Sequence, residues 1–340
     1  MNTRYVCPLT LAPLERAKDE LVGPAGQRYR IDHGLPLFLS GAPVEEPELA
    51  ARLDRLVTRA REVGWRSAVQ TEWDDARYVT SEGRAAYVDL LPLDSSSRVL
   101  EVGCSLGQGT AALARRAGSV DAVEVVPGQA AFAAERLRQD GLDNVEVCVA
   151  GDDCRLPFAS ERFDVAVLNL VIEWCGARGS ISAAESQRRL LSEVARTLRR
   201  DGTLFVATKN RFGLPYLAGA PDEHSSNLRF ASYLPRALLP AALRLAGKAP
   251  ASGNLHSYPA FTRLLRAAGF TNLRPYWAAP DARYPARYVP ADRDSVIAAK
   301  TSLAPRELGH TRRVRWLLKL VPAGLLRYVA PSLVFVASKA

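Results

Sequence analysis

The chain has 340 residues, 48% of them hydrophobic and 24% charged, which excludes a disordered or fibrous protein and allows one large domain with an appendage. Its start, from Met1 to Pro8, has no apolar run of the signal-peptide kind, and Arg315, Lys319 and Arg327 interrupt the carboxyl-terminal tail, so no membrane-spanning stretch is expected. Of the net charge of +9, the last sixty residues carry +7, with eleven Lys/Arg against four Asp/Glu from Asp281 to Ala340; a solvated basic face and an attraction to phosphate, on a substrate, a lipid surface or RNA, both fit this.

In chain order, residues 1–45 read as a small β-rich module, with Tyr29-Arg30-Ile31 and Leu35 to Leu39 on either side of a turn at Gly34, followed by a linker over 43–47. Residues 46–95 read as a helical lid or linker. Leu49, Leu53, Leu56 and Val57 share one helical face, and a second helical piece ends near Leu90-Leu91-Pro92. From residue 96 to 340, apolar strands at 98–102, 120–126, 144–150, 163–171 and 202–208 alternate with helices at 108–117, 128–140 and 184–199. Two more strands follow at 271–277 and 332–338. Alternation of this kind specifies an α/β fold, here a doubly wound seven-stranded sheet with helices on both faces. Segments 210–258 and 281–330 are longer than plain connections and read as insertions. The five cysteines (Cys7, Cys104, Cys148, Cys154, Cys175) are odd in number and mostly lie in apolar contexts, which suits reduced thiols and a cytoplasmic location.

The run from Arg98 to Gly109 is a buried strand, a small-residue turn and a helix start. Its turn lets backbone N–H groups approach a ligand at the carboxyl end of a strand. The next strand ends at Glu124, an acidic residue placed for the two hydroxyls of a ribose. The third strand leads to Gly151-Asp152-Asp153, with an acid available for an exocyclic amine, and the fourth ends at Asn169 on the same crevice.

These features together resemble the class I S-adenosylmethionine-dependent methyltransferases, over roughly residues 95–280 plus the last strand, and imply a Rossmann-like fold with S-adenosylmethionine (SAM) as cofactor. The resemblance implies that Glu101 and the turn containing Gly103, Cys104, Ser105 and Gly107 hold the amino acid end of SAM, with Glu101 acting partly through water. It assigns Glu124 to the ribose, Val125 to the adenine face, Asp152 to the adenine amino group and the Asp153 N–H to a ring nitrogen, with Asn169 beside them. Ser105 departs from the glycine frequent at its position.

Glu173 leaves the fourth strand where an acceptor is expected, as a base, an orienting group or a helix-start carboxylate. The segment from Asn210 to His224 follows the fifth strand and gathers aromatics, an Arg and an acid–His pair. His224 is a candidate base or a loop hydrogen bonder, and His256 a candidate with the same two readings. This stretch resembles methyltransferases of bacterial polysaccharide and glycoconjugate gene sets. The amino-terminal spacing of Cys7-Pro8-Leu9-Thr10 and Gly23-Pro24-Ala25-Gly26 resembles the zinc-ribbon activator subunit of tRNA and protein methyltransferases. One thiolate remains where four ligands are needed, so the module reads as degenerate and metal-free. The expected function is O-methylation of a hydroxyl on a carbohydrate or sugar-containing metabolite. The alternatives are a small natural-product (antibiotic) acceptor, RNA, and a non-catalytic SAM-binding partner protein, with peripheral contact to an anionic membrane a further expectation.

Overall fold

The computed structural model describes residues 4–41, 46–176 and 182–340; the expected linker at 43–47 lies in part outside the described residues. Four short strands open the chain: β1 (Glu15–Ala17), β2 (Glu20–Val22), β3 (Arg28–Asp32) and β4 (Leu35–Pro36). Helices α1 (Pro47–Val63), α2 (Trp65–Glu72) and α3 (Ala76–Thr80) follow, then a 3-10 segment, Glu82–Leu90. The main sheet begins with β5 (Arg98–Val102), α4 (Gln108–Ala114), β6 (Ser119–Glu124), α5 (Pro127–Gln139), β7 (Val145–Val149), β8 (Phe163–Asn169), α6 (Ala183–Thr197) and β9 (Leu198–Lys209). Next come α7 (Leu214–Leu217), a two-residue pair β10 (Pro221–Asp222) and β11 (Leu228–Arg229), α8 (Leu239–Leu245), α9 (Tyr258–Ala267), β12 (Phe270–Ala279) and β13 (Arg287–Pro290). Helices α10 (Arg293–Ser302), α11 (Pro305–Leu308), α12 (Arg312–Leu320) and α13 (Leu326–Val329) lead to β14 (Ser332–Lys339). The main sheet has the order β13-β12-β14-β9-β8-β5-β6-β7. The fold is the expected α/β class, with eight strands rather than seven.

The chain divides into two compact units: Met1–Val167 with Ser192–Thr203, and Leu168–Leu191 with Leu204–Ala340. In the first, β5, β6 and β7 run parallel, with Glu101 beside Ala122 and Glu124 beside Val149. Val99, Leu100, Val120, Ala122 and Val123 are buried, as strands covered on both faces require. On α1 the expected stripe is observed: Leu53, Leu56, Val57 and Ala60 are buried against Phe132 of α5, while Leu49 is partly so. Gly64, at φ 88°, separates α1 from α2, so the predicted second helical piece is two short helices and a 3-10 segment.

The amino-terminal strands form their own antiparallel sheet, β1-β2-β3-β4. The expected strand from Leu35 to Leu39 stops at Pro36, because the chain there changes partner. Leu37 makes a parallel bridge with Val149, and the Phe38 N–H donates to the Val149 carbonyl at 2.7 Å. Residues 37 and 38 thereby occupy the edge of the main sheet that β7 would otherwise expose. Tyr5 packs on Phe38 and Phe158 at ring distances of 5.2 and 5.7 Å. Arg4 and Arg162 close on the buried Asp121 carboxylate at 2.6 and 3.1 Å.

In the second unit β12 pairs antiparallel with both β14 and β13, the latter a hairpin matching Trp277 with Val289. Leu214, Trp277, Val289, Val296, Val314, Leu318 and Leu326 form one buried cluster, so much of segment 281–330 packs as core. The sequence does not reveal β13 because it is only four residues long and ends on Pro290, a residue tolerated at a sheet edge.

Candidate functional site

In the first unit the candidate cofactor residues lie at the carboxyl ends of β5, β6 and β7 and in the turns beyond them. Gly103 and Gly107, both at φ 77°, and Ser105, at φ 49°, adopt left-handed backbone in the turn after β5. Ser105 is therefore a strained non-glycine at the position where the resemblance leads one to expect glycine. A side chain on Gly107 would stand 3.1 Å from the Ala133 Cβ. The N–H groups of Gly103 and Cys104 both donate to the Val123 carbonyl, at 2.7 and 3.1 Å, which ties the turn to β6. The Cys104 side chain is buried in the cluster with Ala122, Ala130 and Ala133.

Glu101 is buried and accepts from Thr110 Oγ1 at 2.6 Å and Tyr87 Oη at 3.4 Å. Burial lifts its pKa to about 7, against the lowering effect of those two hydroxyls. Gly109 leaves room for this arrangement, since a Cβ there would collide with Glu101 Oε1 and meet Tyr87 Oη at 2.5 Å. The Glu124 carboxylate accepts from the N–H groups of Ser105, Val125 and Val126 at 2.8, 2.8 and 3.1 Å, which fixes its direction at the end of β6. Val125 is partly buried, packed against the cluster of α1, α2 and α5. Asp153 is tied to Arg155, its Oδ1 accepting from the N–H at 3.0 Å and its Oδ2 from Nη1 at 2.5 Å.

Asp152 Oδ2 accepts from the Ser40 N–H at 2.9 Å and from Ser40 Oγ at 2.6 Å. Its Oδ1 is buried with no hydrogen-bond partner among the described residues, as is Gln108 Nε2. A buried acceptor such as Asp152 Oδ1 can receive a hydrogen bond from an exocyclic amine, and a buried donor such as Gln108 Nε2 can give one to an oxygen, so these residues are compatible with a SAM-type ligand.

In the second unit Asn169 Oδ1, at the end of β8, is also buried without a partner among the described residues. Glu173 and His224, separated by 51 positions, are brought together: each is 1% exposed, and Gly253 passes between them. A Cβ on Gly253 would lie 2.6 Å from His224 Cδ2 and 2.9 Å from the Glu173 carbonyl oxygen. The Trp174 ring packs on His224 at 4.3 Å. His224 Nδ1 is 3.3 Å from Asp222 Oδ1, which also accepts from the His224 N–H at 3.0 Å, while Ser225 Oγ donates to Asp222 Oδ2 at 2.7 Å. Nε2 of His224 and Oε2 of Glu173 are both buried without hydrogen-bond partners among the described residues. Burial raises the Glu173 pKa, partly offset by the neighbouring His224.

His256 is engaged elsewhere. Gln187 spends its Nε2 on the carbonyls of Ile172 and Asn254, at 2.8 and 2.9 Å, so its Oε1 accepts from His256 Nε2 at 2.7 Å. Burial, reinforced by Arg236 and Arg211, drops the His256 pKa to about 4. The ring is a neutral donor that joins β9's exit to the chain before α9, where Asn210 and His256 form a parallel bridge.

Sequence reading missed Ser40, Tyr87, Thr110 and Gln187. Only Thr110 had a local signal, in the first turn of the helix after the glycine turn. Among the described residues no group of three or more His, Cys, Asp or Glu side chains is placed to hold a metal, and the Cys7 thiol lies 3.1 Å from Tyr29 Oη.

Residues 100–206 match the model of a methyltransferase domain. Over 164 residues, 48% of the chain is 29% identical to 30% of the biotin biosynthesis bifunctional protein BioHC of Cellvibrio japonicus. Over 153 residues, 45% of the chain is 27% identical to 54% of the malonyl-(acyl-carrier protein) O-methyltransferase of Pectobacterium atrosepticum. The chain thus spans about half, or less, of the length of these curated relatives. Among solved structures, the geranyl diphosphate C-methyltransferase of Streptomyces coelicolor A3(2) aligns over 81% of both chains, with 16% identity and a TM-score of 0.47.

Proposed function

We propose, for a chain that carries a SAM-dependent methyltransferase domain over residues 100–206, that the protein O-methylates a hydroxyl of a carbohydrate or sugar-containing metabolite. SAM, when bound, supplies the methyl group on its sulfonium. Glu101, the turn from Gly103 to Gly107, Glu124, Val125, Asp152, Asp153 and Asn169 would hold it as the sequence leads one to expect. The orphaned oxygens of Asp152 and Asn169 support that assignment.

The observation that carries the hydroxyl reading is the buried Asp222–His224 pair with Nε2 unpartnered. A hydroxyl must lose its proton as its oxygen is alkylated. With Nδ1–H directed at Asp222, the His224 lone pair sits on Nε2, the tautomer a base requires. Asp222 then stabilises the imidazolium that proton transfer creates. Glu173, held protonated to a greater extent than an exposed glutamate, is assigned to orient the acceptor, and His256 to hold the loop rather than to move protons. The half-exposed face of Trp174 beside His224 suits the flat face of a sugar ring.

A carboxylate acceptor is the second reading, favoured by the relative named as a malonyl-(acyl-carrier protein) O-methyltransferase. A carboxylate is already ionised at neutral pH and needs no base. Residues 1–45 are read as a bracing module, 46–95 as a helical cover and 96–340 as the methyltransferase domain. Five free cysteines, four of them buried, support a reducing cytoplasmic setting. No helix among the described residues is long and apolar enough to cross a membrane; the exposed face of α12 supports peripheral contact with an anionic surface.

The test is transfer of labelled methyl from SAM to glycan, nucleotide-sugar and acyl acceptors, with the product then treated with base. A base-stable methyl ether, and a fall in kcat of about 10²–10⁴ in His224→Ala with cofactor affinity unchanged, is the expected result. A base-labile ester formed at full rate by His224→Ala would overturn the hydroxyl reading.

A further inference from the structure

Ser40 stands at the end of the amino-terminal module, 112 positions from Asp152, yet donates twice to one of its oxygens. The path that delivers it is built from backbone: the bridge from Leu37 to Val149 and the N–H of Phe38 on the Val149 carbonyl carry the chain along the outer side of β7 toward the turn holding Asp152. Ser40 itself is exposed, so no packing requirement explains a serine at this place.

The consequence lies in what remains of the carboxylate. With the N–H and Oγ of Ser40 at 2.9 and 2.6 Å, Oδ2 already accepts two hydrogen bonds. Oδ1 alone is left, buried and without a partner among the described residues. We propose that Ser40 is a positioning residue for cofactor selectivity: it fixes the Asp152 carboxylate so that Oδ1 presents one acceptor to an exocyclic amine, and thereby makes the amino-terminal module part of the adenine site. The proposal rests on the assignment of Asp152 to the adenine amino group. It gives the module a chemical task in addition to bracing, and it accounts for the two bonds converging on one oxygen. A base bearing a carbonyl in place of the amine meets an acceptor with an acceptor at Oδ1, and the discrimination between the two follows from how firmly the carboxylate is held.

The experiment is calorimetric titration of the full chain with S-adenosylhomocysteine and with its 6-oxo (inosyl) analogue, for wild type, Ser40→Ala, Ser40→Thr and Asp152→Ala. Losing one hydrogen bond to a charged group predicts a loss of about ten- to a hundredfold in affinity at most, and about threefold at least since the Ser40 N–H remains. Ser40→Ala should lose affinity for the adenosyl ligand by this factor and for the inosyl ligand much less, and Ser40→Thr should recover it. Equal losses for both ligands would assign Ser40 a merely structural role and overturn the proposal. Unchanged adenosyl affinity in Ser40→Ala, with Asp152→Ala weakened, would overturn it while leaving the adenine assignment intact. Unchanged affinity in Asp152→Ala would remove the assignment itself, and the proposal with it.

Discussion

Glu101 shows how burial turns one carboxylate into two different groups across the neutral range. Its pKa of about 7 lies well above the ordinary glutamate value of roughly 4.3, and burial is the cause. A folded-state pKa raised above the unfolded value contributes stability that is fully present below about pH 4.3 and is lost as pH rises through about 7. Thermal melting of the ligand-free chain should therefore show Tm falling between about pH 5 and 8 more steeply in wild type than in Glu101→Gln, which has no charge to bury. Parallel profiles would place Glu101 in contact with water or a cation instead. The candidate residues legible in the sequence were those whose place follows from a strand end: Glu101, Glu124, Asp152 and Asn169 each close or follow a buried run. Ser40 and Tyr87 were not legible, because what gives them a role is contact with a residue remote in sequence, and neither sits in a patterned segment. His224 was legible as half of an acid–His pair, but its burial against Gly253 and Trp174 was not.

At the scale of elements, helices with a clear apolar stripe and strands buried on both faces were read close to their observed bounds, since periodicity encodes burial directly. β13 was missed for want of length, and the strand after Gly34 was overextended because alternation does not reveal a change of partner. The element with the most unusual surface is α12. Val314 and Leu318 point into the core, whereas Trp316 and Leu320 are 61% and 60% exposed, flanked by the exposed Arg312, Arg313 and Lys319. An exposed face of tryptophan, leucine and three cations matches the headgroup region of an anionic bilayer. Each basic residue there contributes about 1 kcal/mol, so the full chain should co-sediment with phosphatidylserine-containing vesicles at low salt and detach at high salt. Replacing Arg312, Arg313 and Lys319 by Ala should weaken this by about two orders of magnitude. Binding that is equal on neutral vesicles, or absent on both, would assign the face to another partner.

On the scale of the whole molecule, residues 100–206 match the model of a methyltransferase domain, and that segment contains every candidate cofactor residue from Glu101 to Asn169. It does not contain His224 or His256, which belong with Glu173 to the second compact unit, Leu168–Leu191 with Leu204–Ala340. That unit was the harder to read, because its core joins α7, a hairpin and four helices over more than a hundred positions without a repeating pattern. The most direct measurement is titration of the intact chain with S-adenosylhomocysteine, comparing wild type with Asp152→Ala and Glu124→Ala. One site per chain in wild type, weakened about ten- to a hundredfold in each variant by the loss of a charged hydrogen-bond acceptor, is the predicted result; no binding in wild type, or undiminished affinity in both variants, would contradict the account.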